Sequence, residues 1–223
     1  MLPAIMNRDA SDLERTAAEL RRSLPPGALV LAVPSVRARD WIEVVRGVLL
    51  PLGLASSRFC VDWFGDYADA DRCEVRVLDG ALAQRHQHAF LPALEEAARS
   101  GVSLVVASSD IDPSMLGMLL VNSVKGTLRS FPLMPHLEAG RSALEALAGV
   151  AGAQIGSAGP SGLTLGAPGA LLRLITTLDW TVVVSEPPCA QATTIGLIHV
   201  GGEDLAEARA RTRSARLGAP LHA

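Results

Sequence analysis

The sequence is poor in several things, and each shortage excludes something. It has no basic excess: net charge is −3 and the isoelectric point is near 5.9. A nucleic-acid partner, which marks its protein with a basic stripe, is therefore not expected. Cysteine is scarce. Cys60, Cys73 and Cys189 make an odd count with no Cys-x-x-Cys pair, the pattern of a reducing compartment rather than of a disulfide scaffold. No uninterrupted apolar run approaches the length of about 18 residues that a membrane helix needs. The first eleven residues contain Arg8 and Asp9 and no long apolar stretch, so they do not read as a secretory signal. The expected location is the cytoplasm, with no membrane partner. Aromatic residues are only 4% of the chain, so a core has to be assembled from Ala, Leu and Val.

What is present is enough for such a core. Hydrophobic residues make up 49% and charged residues 19% of 223 positions, which argues against disorder and for one large or two small domains. The pattern alternates. A helix is predicted over 12–24 with Ser11 as its cap, a buried strand over 28–33, a second helix over 41–50, and an irregular stretch over 59–73. A strand over 74–78, a helix over 82–99 and a central strand over 102–107 follow. Pro113 to Lys125 reads as a helix with Asp112 as its cap and Pro113 in the first helical position. A strand over 127–133, a helix over 138–150, a short strand at 153–155, a loop to Gly169 and a hairpin of 171–177 with 180–184 come next. A strand over 194–200 and a helix over 203–216 end the chain. Strands alternating with helices make this an α/β protein.

No catalytic constellation stands out, and no enzyme is expected. His86 and His88 are two apart on a predicted helix and do not share a face. Cys60, Asp62, Asp66, Asp69, Asp71 and Cys73 lack the spacing of a calcium loop or a zinc set and read as a solvated loop. Gly159-Pro160-Ser161-Gly162 is followed by Leu163 where a nucleophile elbow needs glycine. Arg209, Arg211, Arg213 and Arg216 alternate with Glu207 and alanines as on a solvated helix face. No phosphate-binding Gly-x-x-x-x-Gly-Lys loop is present. No cofactor and no metal is expected.

The segment from Leu91 to Gly126, LPALEEAARSGVSLVVASSDIDPSMLGMLLVNSVKG, carries a recognisable order: helix, buried strand, acidic loop, then an apolar helix ending in Val121-Asn122-Ser123-Val124-Lys125-Gly126. It resembles the apical domain of bacterial, GroEL-like chaperonins. Ala143 to Ala148, the hairpin 173–184 and Ile198-His199-Val200-Gly201-Gly202 continue the likeness, which spans about 75–216 and is strongest over 91–150. The resemblance implies a swivelling β/β/α apical fold (59–186) and a partial intermediate-like subdomain built from both termini (1–58 and 187–223). It also implies that the equatorial ATPase domain is not part of this sequence. Asp79-Gly80 is followed by Ala-Leu-Ala where that family's nucleotide loop continues in threonines. Residues 185–193 are too few for the helix that bears its catalytic Asp.

Apical domains of that family hold non-native chains in an apolar groove between two helices. By resemblance, Leu116 and Leu119 match the outward positions of the first helix, with Met115 and Met118 adding adaptable surface. Leu144, Leu147 and Val150 are the candidates on the second helix, and Phe64 and Tyr67 on the aromatic edge of the groove. From the residues alone, a helix apolar nearly all round is either buried on both faces or presents one face for binding. The expected function is ATP-independent binding of a non-native polypeptide or a dedicated protein partner. The alternative is a scaffold subunit whose groove is permanently occupied by a partner or by self-association.

Overall fold

The computed structural model describes residues 10–34, 40–60, 67–136 and 138–200, together with Glu207, Ala208, Ala210 and Thr212. The described residues fall into two compact units. One lies within Met1–Gly47 and Ala190–Ala223, the other within Val48–Trp63 and Tyr67–Cys189.

In the first unit, helix α1 (Ala10–Ser23) covers a small sheet. Strand β1 (Leu29–Pro34) runs parallel to the last strand, β11 (Thr193–Val200), and β11 is antiparallel to β2 (Trp41–Leu50) along residues 41–47. Leu13, Ala17 and Leu20 of α1 pack on Val30, Ile198 and Val200. The expected cap, Ser11, lies inside the helix. His199 stacks on Trp41 with ring centroids 4.1 Å apart, and its Nε2 lies 3.3 Å from the Glu43 carboxylate. The predicted helix over 41–50 is a strand. Trp41, Ile42, Val44, Val45 and Val48 suit a pleated surface better than a helix, and β11 supplies the neighbour that decides it.

The second unit is a curled sheet in the order β2, β10, β9, β4, β5, β6, β3, entered by Val48–Leu50 of β2. The strands are β3 (Leu52–Leu54), β4 (Tyr67–Leu82), β5 (Ser103–Ile111), β6 (Ser130–Pro135), β9 (Gly169–Thr177) and β10 (Thr181–Val184). β4, β5 and β6 are parallel; β9, β10 and β3 join antiparallel. A hairpin of β7 (Ile155–Gly159) and β8 (Gly162–Thr164) pairs in parallel with the second half of β4. Strand β4 begins seven residues earlier than the sequence predicts. Asp69 and Asp71 made that stretch look like a loop, but Asp69 makes a bidentate ion pair with Arg173 on β9, at 2.6 and 2.9 Å.

Helices α2 (Gln87–Ser100), α3 (Pro113–Val124) and α4 (Gly140–Ala151) link the parallel strands. Phe90, Leu104, Met115, Leu119, Phe131, Leu133, Leu144 and Leu147 form the fully buried heart of this unit. Arg76 adds a buried polar tie, donating to Glu74 at 2.7 Å, Glu96 at 2.9 Å and the Gly166 carbonyl at 3.3 Å. That ties β4, α2 and the segment before β9 together.

The sheet curls until β3 meets the β9–β10 turn. Thr181 donates its hydroxyl to the Leu52 carbonyl at 2.7 Å, and Thr176 and Thr181 hydroxyls are 2.7 Å apart. His136 Nε2 reaches the Asp179 carbonyl. Gly53 lies against the Leu178 backbone, where a Cβ would sit 1.9 Å from the carbonyl oxygen.

Two predictions follow from this packing. Gly53→Ala forces the closure apart and is expected to lower stability by about 2–3 kcal/mol or more, as for overpacked cores. In a denaturant titration, a variant as stable as the parent would show that the closure is not held there. The second concerns thiols. Cys60 and Cys73 are buried, and burial pushes the Cys73 thiol up to about 12, opposed in part by the Arg129 charge. Because the thiolate is the reactive form, native alkylation read by mass spectrometry is expected to modify the half-buried Cys189 first and leave Cys73 unmodified until unfolding.

Candidate functional site

Helix α3 is held at both ends by its own side chains. The Asp112 carboxylate accepts from the Ser114 backbone N–H at 2.8 Å and from its hydroxyl at 2.6 Å, and these bonds hold the Asp112 carboxyl below the usual carboxylate range. Pro113 occupies the first turn, where its missing N–H costs nothing. At the other end Ser123 donates to the Leu128 carbonyl at 3.1 Å and accepts from the Ser130 N–H at 3.1 Å, which ties α3 to the start of β6.

The helix has an apolar inner face and an uncharged outer face. Met115 and Leu119, one turn apart, are 1% and 0% exposed and face the core, with α3 seated on β6 and on the 3-10 turn Ser57–Phe59. The outer row is Ser114, Gly117, Val121 and Val124, flanked by half-buried Leu116 and Leu120 on one side and Met118 on the other. Val121 is 50% and Val124 57% exposed. No residue of the 12-residue helix is charged. A Cβ added at Gly117 would meet nothing within 4 Å, so that stretch of the outer face is open space.

Helix α4 is different. Leu144 and Leu147, expected to face a bound chain, are fully buried together with Ala143, Ala148 and Ala151, because α4 lies across β4, β5 and β9. Its outer face is polar or small. Arg141 donates to Asp79 at 2.7 Å and to Glu145 at 2.8 Å, bonds that raise its already high pKa, the Glu145 hydrogen bond foremost. Val150 is half-buried.

The residues expected at the site thus divide. Met115, Leu119, Leu144 and Leu147 are core. So is Tyr67, which starts β4 opposite Thr177. Leu116, Met118 and Val150 are partly accessible. Phe64 lies outside the described residues, as do Asp62, Asp66, Arg209, Arg211, Arg213 and Arg216. The residues passed over are Leu120, Val121 and Val124. With no charge anywhere on α3, nothing in its composition marks the wet face, and only packing on β6 fixes the helical phase.

Other candidates have structural roles. His86 is buried: its Nδ1 accepts the Ala83 N–H at 3.2 Å and its Nε2 lies 2.9 Å from the Gly159 carbonyl. A carbonyl only accepts, so the ring is the Nε2–H tautomer, pinning α2's entry to the β7–β8 hairpin. His88 is exposed. Ser161 is at the tip of that hairpin. No group of three or more metal-ligating side chains gathers among the described residues, and no described helix is long and apolar enough to cross a membrane.

No family model matches the chain. Curated relatives do. Chaperonin GroEL 3 of Protochlamydia amoebophila is 32% identical over 88 residues, 40% of this chain and 16% of that protein. Chaperonin GroEL 1 of Mycobacterium ulcerans is 31% identical over 156 residues, 64% of this chain and 27% of that protein. Chaperonin GroEL 1 of Mycobacterium tuberculosis is 28% identical over 175 residues, 73% of this chain and 31% of that protein. The chain thus spans less than a third of the length of these relatives. Among solved structures, the chaperonin gp146 from the bacteriophage EL 2 (Pseudomonas aeruginosa), crystallised with ATP-BeFx, matches in two crystal forms. The TM-scores are 0.56 and 0.51, over 92% and 89% of this chain and 48% and 46% of that one, at 13% and 14% identity. The sequence relatives are GroEL chaperonins and the structural neighbours are chaperonins; the chain is similar to a part of those relatives and has an apical-type α/β fold.

Proposed function

We propose that this chain binds apolar segments of other polypeptides on the outer face of α3, as a holding chaperone or dedicated adaptor that uses no nucleotide of its own. The observation that carries the reading is the uncharged outer row of α3. Two of the large apolar side chains exposed on this protein, Val121 and Val124, lie one turn apart there, next to Leu116, Met118 and Leu120. Similarity to chaperonins supports a chaperone-like role, and the apical-type fold supports binding as its content. Of the face first expected, Leu116, Met118 and Val150 stay in the proposed surface. Leu120, Val121 and Val124 replace the buried members.

Magnitudes limit what one such face can do. Covering a half-exposed valine contributes about 1 kcal/mol at about 25 cal/mol per Å². With the partly exposed neighbours the total is about 3–5 kcal/mol, which corresponds to dissociation constants of about a millimolar. Useful holding therefore needs several faces acting together, since avidity multiplies weak contacts. The same arithmetic favours a second reading, a scaffold subunit whose face is covered in an assembly. Light scattering separates them. A monomer with Val121 open to a spin label favours capture of passing chains, whereas an assembly that buries Val121 favours the scaffold.

The test of the face itself is Val121→Glu combined with Val124→Glu. The pair is expected to abolish suppression of aggregation of a heat-denatured reporter while leaving the melting temperature close to the parent's. Undiminished suppression by a folded double variant would sink the proposal. Leu119→Ala is the contrasting variant: as a core truncation it is expected to cost about 2–5 kcal/mol of stability. A stability loss under about 0.5 kcal/mol, as at ordinary surface sites, would place Leu119 on the outer face instead.

A further inference from the structure

We infer that the segment received by α3 carries acidic residues at one end of its apolar run, the end that lies over the C-terminal half of the helix. This rests on the reading of α3 as a docking face and adds a charge requirement and a direction to it.

The charges around α3 are placed unevenly. The helix has none of its own. At its C-terminus stands Lys125, exposed. A second cation, Arg58, projects from the 3-10 turn Ser57–Phe59 that packs against α3. The chain path puts that turn beside the C-terminal half. Strand β3 runs antiparallel to β6, Leu54 lies opposite Leu133, and the Ala55 N–H bonds the Pro132 carbonyl. The turn therefore approaches the beginning of β6, where Ser130 is bonded to Ser123 of α3. Neither Lys125 nor Arg58 has an ion-pair partner among the described residues. A third cation, Arg129, is turned away: it donates to the Asp69 carbonyl at 2.8 Å and lies 5.2 Å from the Phe131 ring centroid.

The other end of the helix has the opposite character. Asp110 and Asp112 stand there, and both carboxylates already accept backbone N–H groups, from Ile111 and Ser114. A ligand laid along the row meets negative charge at one end and uncommitted positive charge at the other. At about 1.5 Å per residue the two ends are about 20 Å apart, the span of about six residues of extended chain. The partner this fits is a polypeptide segment of about six apolar residues with acidic residues at one end. A basic flank at the same end is disfavoured by like charge, which is how surface charge selects partners more than it tightens them.

The experiment uses the full chain and three fluorescein-labelled synthetic peptides that share one six-residue apolar core. They end in Glu-Glu, Ser-Ser or Lys-Lys, and binding is followed by fluorescence anisotropy at low and high salt. The acidic peptide is expected to bind about five-fold tighter than the neutral one, the size two exposed charge pairs allow. The ranking is expected to collapse at high salt. In the double variant Arg58→Ser with Lys125→Ser the preference is expected to vanish while the affinity for the neutral peptide stays the same. Equal binding of all three peptides overturns the charge requirement and leaves the docking face standing. A preference that survives in the double variant overturns its assignment to Arg58 and Lys125. Failure of all three to bind overturns the docking face as well.

Discussion

The curl of the sheet closes where β3 approaches the β9–β10 turn closely enough for Thr181 to reach the Leu52 carbonyl, and Gly53 is what permits that approach. Any side chain there would displace backbone, not the pliable end of a neighbour. The consequence extends along the chain. Leu50 and Leu52, on either side of Pro51, are both in the core. β6 is fixed against β3, and β6 in turn carries α3. The placement of the exposed row of α3 therefore depends on a hydrogen bond and a glycine from strands outside that row.

Burial is shared unequally between the two long helices that follow β5 and β6. Both use leucines at helical spacing, and both looked in sequence like walls of one groove. α4 crosses several strands and spends its leucines there, leaving Arg141 and Glu145 to meet solvent. α3 rests on β6 and a short turn, a narrower support. Two inward residues, Met115 and Leu119, satisfy it. Leu116, Met118 and Leu120 pack against the core only in part, and Val121 and Val124 stay exposed, which leaves an uncharged apolar strip on a capped helix.

Much of this was legible in the sequence. Asp112-Pro113 announced the start of α3, the apolar run at 103–107 announced a central strand, and the 171–184 hairpin was found with its turn. The failures have particular causes. Trp41–Leu50 carries so many apolar residues that both periods fit it, and only the partner strand β11 decides between them. Asp69 and Asp71 disguised the start of β4 because their neutralising partner, Arg173, is more than a hundred residues away. The outward face of α3 was misphased because a helix without charged residues gives no clue to which side is wet. Each missed signal was a contact between distant parts of the chain.

Capping gives α3 one further property. Its ends are held by Asp112 and Ser123 and its underside by Met115 and Leu119. None of these four belongs to the exposed row. In the proposed reading, the residues that anchor the helix and the exposed valines that would meet a partner are therefore different ones. Val121 and Val124 could then change, one substitution at a time, without the helix coming loose from the sheet.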